Sequence, residues 1–188
     1  MSLLKLAHQH IQSTLHMGDV AIDATIGNGH DTLFLAEQVG VAGKVYGFDI
    51  QHAAIVATRE KLQQSQWRDC VTLIQASHAD MVAHIPVNHQ GKINACMFNL
   101  GYLPKGDKRI ITQTDSTLQA LTAACDLLAP QGMITILAYP GHAGGDVETA
   151  GVEQWAEQLN SQHFVVSVFF STTSSSLAPR LLVIQKLL

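Results

Sequence analysis

Apolar positions along this chain come in two alternating patterns: short unbroken runs, and longer stretches in which they recur every three or four residues. Leu3, Leu4, Ala7, Ile11 and Leu15 fall at helical spacing and predict an amphipathic N-terminal helix. Val20 to Ala24 is a short apolar strand that runs into a glycine-rich turn, Thr25-Ile26-Gly27-Asn28-Gly29. The pattern then predicts a helix over Asp31–Val39, a strand over Lys44–Asp49, a helix over His52–Gln64 and a strand over Cys70–Gln75. A fourth strand spans Ile93–Asn99, a helix covers 110–128, and a fifth strand spans Met133–Tyr139. A helix over Val147–Asn160, with Trp155 and Leu159 inward, precedes strands Phe164–Phe170 and Arg180–Leu187. Seven strands separated by helical segments predict an α/β fold built on a doubly wound, mostly parallel sheet. The run Ser171-Thr172-Thr173-Ser174-Ser175-Ser176 reads as a connection between the last two strands, with a substrate-contacting loop as the alternative.

Composition narrows the class without changing that picture. The 188 residues suit one domain, 1–188, and 47% apolar against 14% charged residues supplies a core rather than a disordered chain. Eleven Lys and Arg against fifteen Asp and Glu give −4, so any contact with nucleic acid has to be local. Three cysteines, Cys70, Cys96 and Cys125, form no CxxC pair and argue against a disulfide framework or a cysteine zinc site. Ten histidines include no HExxH and no His-acid cluster, so no metal is expected. No stretch nears eighteen apolar residues and the N-terminus lacks an apolar leader core, which points to a cytoplasmic protein with no membrane span.

Ligands of open α/β sheets bind beyond the carboxyl ends of the strands, and the first strand delivers Asp23 through Thr32 to that edge. Gly27 and Gly29 let the backbone approach a ligand, although a bare structural turn has the same look. Asp49 closes the second strand at 49 − 29 = 20 residues from Gly29, the spacing of a carboxylate that grips ribose hydroxyls. Thr32 stands where a dinucleotide fingerprint needs its third glycine. Asp23 and Asp31 suit the positive charges of S-adenosylmethionine and would repel a pyrophosphate, so S-adenosylmethionine is favoured over NAD. Asp31 also fits a residue that simply favours a helix start. Asn28, Gln51, Ser77 and His78 complete the candidate cofactor set, His78 having an ordinary loop or core histidine as its alternative.

The fourth strand ends in Asn99-Leu100-Gly101-Tyr102-Leu103-Pro104, across the same crevice from the first. An asparagine amide oxygen and the following carbonyl are two acceptors for an N–H₂ group, and being uncharged they leave the amine its lone pair. Asn99 and Tyr102 are therefore the catalytic candidates, against a plain strand-ending asparagine and a tyrosine that caps the core. Lys105, Lys108 and Arg109 form a basic loop that suits a phosphate backbone or mere solvation, and Tyr139 and His142 lie in a glycine-rich segment after the fifth strand.

At these residues the chain resembles a known family. Asp23 to Thr32, Phe48-Asp49-Ile50-Gln51, Ser77-His78, Asn99 to Pro104 and Tyr139 to Gly145 look like the small class I methyltransferases long labelled "putative rRNA methylase", the MnmM/YtqB-like group. The resemblance covers essentially the whole chain. It implies a Rossmann-like class I methyltransferase fold whose last strand is antiparallel. It also implies transfer of a methyl group from S-adenosylmethionine to the amino nitrogen of 5-aminomethyl-2-thiouridine at the wobble position. The partner would then be a tRNA anticodon stem-loop, and a homodimer is compatible. Carried over by motif, Asn28, Asp31, Asp49, Gln51, Ser77 and His78 fall on cofactor-contact positions, and Asn99 and Tyr139–Gly145 on the substrate side. The chain departs from the pattern in its serine-threonine run and at Lys105. Methylation of rRNA or of a small-molecule amine is the alternative within the same enzyme class.

Overall fold

A computed structural model describes residues 1–101, 111–171, 175 and 177–188. Its strands are β1 (Val20–Asp23), β2 (Lys44–Asp49), β3 (Val71–Gln75), β4 (Ile93–Asn99), β5 (Leu128–Ala138), β6 (Phe164–Phe170) and β7 (Arg180–Lys186). Its helices are α1 (Leu3–Gln12), α2 (His30–Val39), α3 (His52–Gln63), α4 (Met81–His84), α5 (Thr114–Leu127) and α6 (Gly145–Glu157).

The strands form one seven-stranded sheet in the order β3-β2-β1-β4-β5-β7-β6. All run parallel except β7, which inserts between β5 and β6 and is antiparallel to both, as expected for the last strand. Alternate residues of each central strand enter opposite cores, the sign of a sheet covered on both faces. In β4, Ala95 and Met97 pack with Leu35 and Val39 of α2 and Ile11 of α1, whereas Cys96 and Phe98 pack with Leu121 of α5 and Val152 of α6. The same alternation runs through Leu181, Leu182, Val183 and Ile184 of β7. α1 is capped by Ser2, whose hydroxyl accepts from the Lys5 N–H, and buries Ala7 and Ile11.

β5 begins five residues before the predicted Met133. Its first pair, Ile93 with Leu128, is separated from the regular ladder by a register shift that accommodates Pro130-Gln131-Gly132, with Gln131 at φ 64°. The stretch 76–92, unassigned from sequence, holds α4 and two single-turn 3₁₀ helices, too short for periodicity to reveal. Among the described residues, no helix is long and apolar enough to cross a membrane, and no group of three His, Cys, Asp or Glu is placed to hold a metal ion.

Because β1 pairs with β2 on one side and β4 on the other, the chain order reverses at β1. The crevice opened by that reversal is where the candidate residues converge.

Candidate functional site

A cleft of about 590 Å³ opens at the carboxyl ends of β1, β2, β4 and β5. Of the predicted residues, Gly27, Asn28, Asp31, Asp49, Gln51, Ser77, His78, Asn99, Tyr139 and His142 all line it. Tyr102, Lys105, Lys108 and Arg109 lie outside the described residues. Arg180, a basic residue at the start of β7, is paired with Glu153.

The glycine-rich turn is built by its partners. Gly27 adopts φ 52° and donates its N–H to Asp49 Oδ2 at 2.9 Å, while Asp49 Oδ1 accepts from the Gln51 N–H at 2.8 Å. One carboxylate thus ties the turn after β1 to the end of β2. Burial pushes the Asp49 carboxyl up from its ordinary value, and these N–H groups pull it back. The Lys61 ammonium of α3 donates to the Asn28 carbonyl and steadies the tip of the turn.

Two predicted cofactor residues support the cleft from behind instead of lining it. Gly29 sits at φ 76°, and a Cβ there would lie 2.4 Å from Thr58 Oγ1, so the glycine is demanded by the seat of the turn on α3 rather than by a ligand's approach. Asp23 is 1% exposed beneath the floor and accepts from Thr32 Oγ1 at 2.5 Å and the Thr25 N–H at 3.1 Å. Thr32, where a dinucleotide site would carry glycine, therefore has a hydroxyl partner of its own. Burial, with the Asp31 charge behind it, pushes the Asp23 carboxyl up to about 7.

Asp31 reaches the cleft from the first turn of α2 and accepts from His8 Nε2 of α1 at 2.7 Å. The His8 ring stacks on Phe34 with centroids 3.8 Å apart and planes 6° from parallel, which fixes the imidazole that aims the carboxylate. Sequence gave no sign of this pair, because its members lie 23 residues apart on different helices. The Asp31 charge reinforces burial in raising the Tyr139 hydroxyl, so Asp31 stands between the two halves of the cleft.

His78 follows β3 on a 3₁₀ turn capped by Ser77, and its Nδ1 lies 3.2 Å from the Ala24 carbonyl. A carbonyl only accepts, so Nδ1 carries the proton. Burial pushes the His78 imidazole below its ordinary value, leaving a neutral ring whose Nε2 is an acceptor.

Asn99 closes β4 with its backbone N–H donated to Thr25 Oγ1 at 2.7 Å. Its side-chain amide makes no hydrogen bond among the described residues and borders the cleft. Leu100, Ile111, Tyr139 and Leu177 give this half apolar walls. Of these, Ile111 and Leu177 had no sequence signal, since nothing in their spacing marks them.

The donor set tests the expected cofactor. The cofactor half presents Asp31 and Asp49 with Asp23 beneath, and no Lys or Arg among the described residues lines the cleft. A pyrophosphate would meet only negative charge there. Ribose hydroxyls, an ammonium and a sulfonium fit it, and S-adenosylmethionine carries all three.

Comparison with known proteins agrees with this geometry. The family profile described as "Putative rRNA methylase" matches residues 45–185. The chain is 39% identical over 173 residues to an Arabidopsis thaliana protein named tRNA (mnm(5)s(2)U34)-methyltransferase, chloroplastic; the match covers 88% of this chain and 62% of that one. The chain therefore spans less than two thirds of the length of this curated relative. A crystal structure of a "putative rRNA-methylase" from Clostridium thermocellum superimposes with TM-score 0.93 at 39% identity, covering 98% of this chain and 97% of its own. A "putative methyltransferase" from Streptococcus mutans, solved in complex with SAH, superimposes with TM-score 0.88 at 35% identity over 100% and 99% of the two chains.

Proposed function

The chain belongs to the family described as putative rRNA methylases, and from that premise we propose that it is an S-adenosylmethionine-dependent methyltransferase acting on tRNA. The reaction is N-methylation of wobble 5-aminomethyl-2-thiouridine to 5-methylaminomethyl-2-thiouridine. The proposal joins two supports: the name of the Arabidopsis relative and the Streptococcus structure with SAH, and a cleft with a carboxylate-lined half beside an unspent amide. That amide, on Asn99, is the observation that carries the reading.

Bound S-adenosylmethionine supplies an electrophilic methyl on a sulfonium. Asp49 accepts from ribose hydroxyls while both its oxygens still hold the turn and Gln51. Asp31, aimed by His8, faces the ammonium. Asn28, Ser77 and neutral His78 border the nucleoside. Asn99 Oδ1 and the Leu100 carbonyl accept the N–H groups of the substrate amine, turning its lone pair toward the methyl; in an in-line displacement this alignment lowers the barrier. The amine enters neutral, and the proton released after transfer passes to water. The RNA partner is the anticodon stem-loop, met in the cytoplasm, with Tyr102, Lys105, Lys108 and Arg109 as its candidate contacts; a second copy of the chain would widen the RNA-facing surface.

The test uses total tRNA from cells lacking this gene, incubated with the protein and S-adenosylmethionine, digested and followed by mass spectrometry. The aminomethyl nucleoside is expected to fall as its methylamino form rises. No conversion, with S-adenosylhomocysteine still bound, overturns the substrate and redirects the assay to ribosomal RNA and small amines. Asn99→Ala loses one hydrogen bond to the reacting amine, about 2 kcal/mol, and should lower kcat about thirtyfold with cofactor affinity unchanged. Single-turnover rates equal to those of the unmodified chain would remove the orienting role.

A further inference from the structure

The carboxylate of Glu148 is buried (2% exposed) in the first turn of α6 and has no part in the chemistry above. A buried carboxylate is costly unless its oxygens are hydrogen-bonded, and an exposed acid such as neighbouring Asp146 complements the helix dipole without that cost. Burial here needs another reason, and the partners provide one. Oε1 accepts from the Thr117 hydroxyl of α5 at 2.7 Å, and Oε2 accepts from the Thr112 hydroxyl at 2.7 Å.

The two hydroxyls lead to different places. Thr117 is fully buried in α5 and does not itself line the cleft. Thr112 lines the cleft; its Oγ1 accepts from the Gly101 N–H at 2.9 Å, and its own N–H donates to the Gly101 carbonyl at 2.9 Å. Gly101, at φ 127°, follows Leu100 and Asn99 directly. On the other side, the start of α6 is seated against the substrate-side loop: a Cβ at Gly145 would lie 2.3 Å from the Tyr139 carbonyl and 2.7 Å from His142 Nε2. Glu148 thus joins the start of α6, against which Tyr139 and His142 are seated, to the backbone that aims Asn99.

We infer that Glu148 is a positioning residue which, through Thr112 and Gly101, sets the acceptor half of the cleft while leaving the cofactor half alone. In its kinetic consequence the inference rests on the methyl transfer proposed above. The two hydroxyls on one carboxylate make the test. Glu148→Met, which removes both acceptors at similar length, and Thr112→Val are expected to lower kcat/KM for tRNA about tenfold to a hundredfold, the scale of a misplaced reacting group. The dissociation constant of S-adenosylhomocysteine should stay within about twofold, since that half of the cleft is held by Asp49 and His78. Thr112→Ser should restore most of the activity. Thr117→Val should lower Tm and leave both constants unchanged. Amide exchange reads the same device without turnover: the Gly101 and Thr112 N–H groups should exchange faster in Glu148→Met and Thr112→Val, but not in Thr117→Val. Unchanged kinetics and protection in the first two variants, or equal losses in Thr117→Val, overturn the inference in favour of a purely structural carboxylate. Absence of turnover by the unmodified chain counts against the proposed function instead, and amide exchange then decides the role of Glu148.

Discussion

Asp49→Asn is expected to weaken S-adenosylhomocysteine binding by about a hundredfold or more, nearly as much as Asp49→Ala, although it changes the side chain's shape hardly at all. The reason is that both oxygens of Asp49 already accept a backbone N–H, from Gly27 at 2.9 Å and Gln51 at 2.8 Å. An asparagine offers one acceptor and one donor, so whichever way it turns, its NH₂ meets an N–H head on. A partly buried donor left unpaired costs about 1–3 kcal/mol, and loss of the charge-assisted bond adds a comparable amount. The strain falls on the turn that borders the ligand, and the ribose loses its carboxylate as well. Isothermal titration of both variants measures this directly. Asp49→Asn binding within fivefold of the unmodified chain would mean that the carboxylate serves the ligand alone and that the turn stands without it. Loss of binding should come without general unfolding, because the strand that ends in Asp49 is held by the parallel ladders on either side of β2.

The carboxylates also show what was legible in the chain and what was not. Asp49 was readable because its partner turn lies a fixed 20 residues upstream, a spacing imposed by the strand–turn–helix–strand unit itself. The strands were readable because a sheet covered on both faces writes short apolar runs, as in Ala95–Phe98 and Leu181–Ile184. The position of β7 between β5 and β6 was not in the local pattern; the family resemblance supplied only that the last strand is antiparallel. Nor could periodicity supply partners across the fold. It marked one face of α1 as apolar but said nothing of His8, whose role comes from facing Asp31 on another helix. It marked Asp31 and Asp23 alike as acidic residues near a turn, yet one borders the cleft and the other lies sealed under it. Nothing in the sequence marked Glu148, because Thr112 and Thr117 reach it from 36 and 31 residues away. Gly29 was read correctly as a position closed to other residues, but for the wrong neighbour: Thr58 supplies the constraint.

That sealed carboxyl gives the second large effect, in stability and not in binding. Asp23 titrates at about 7 in the fold against an ordinary 3.8, chiefly through burial and then through the Asp31 charge. A carboxyl raised on folding holds its proton more tightly in the native than in the unfolded chain. Between the two values the native state therefore carries more protons, and stability falls as pH rises through that window, levelling off above the folded value. The fall attributable to Asp23 is about 3 kcal/mol between pH 5 and pH 8, or roughly 10 °C in Tm for a chain of this size. Asp23→Asn mimics the protonated form: its oxygen keeps the Thr25 N–H, its NH₂ donates to Thr32 Oγ1, and the threonine hydroxyl turns to suit. The variant should therefore gain on the unmodified chain steadily from pH 5 to pH 8. His78, lowered by burial, works in the opposite sense, withdrawing stability as pH drops through 6.5, and Asp49, raised by burial, works in the same sense as Asp23. His78 contributes to each chain alike and cancels in the difference, whereas Asp49, whose charge also helps to raise Asp23, leaves a smaller residue in the same direction. Thermal melts of the pair at several pH values isolate the Asp23 contribution; parallel curves would show that its proton is held no more tightly in the fold than outside it. A slope that disappears in Asp23→Asn would place an uncompensated negative charge under the floor of the cleft at neutral pH, which a bound ammonium and sulfonium would help to offset and a pyrophosphate would aggravate.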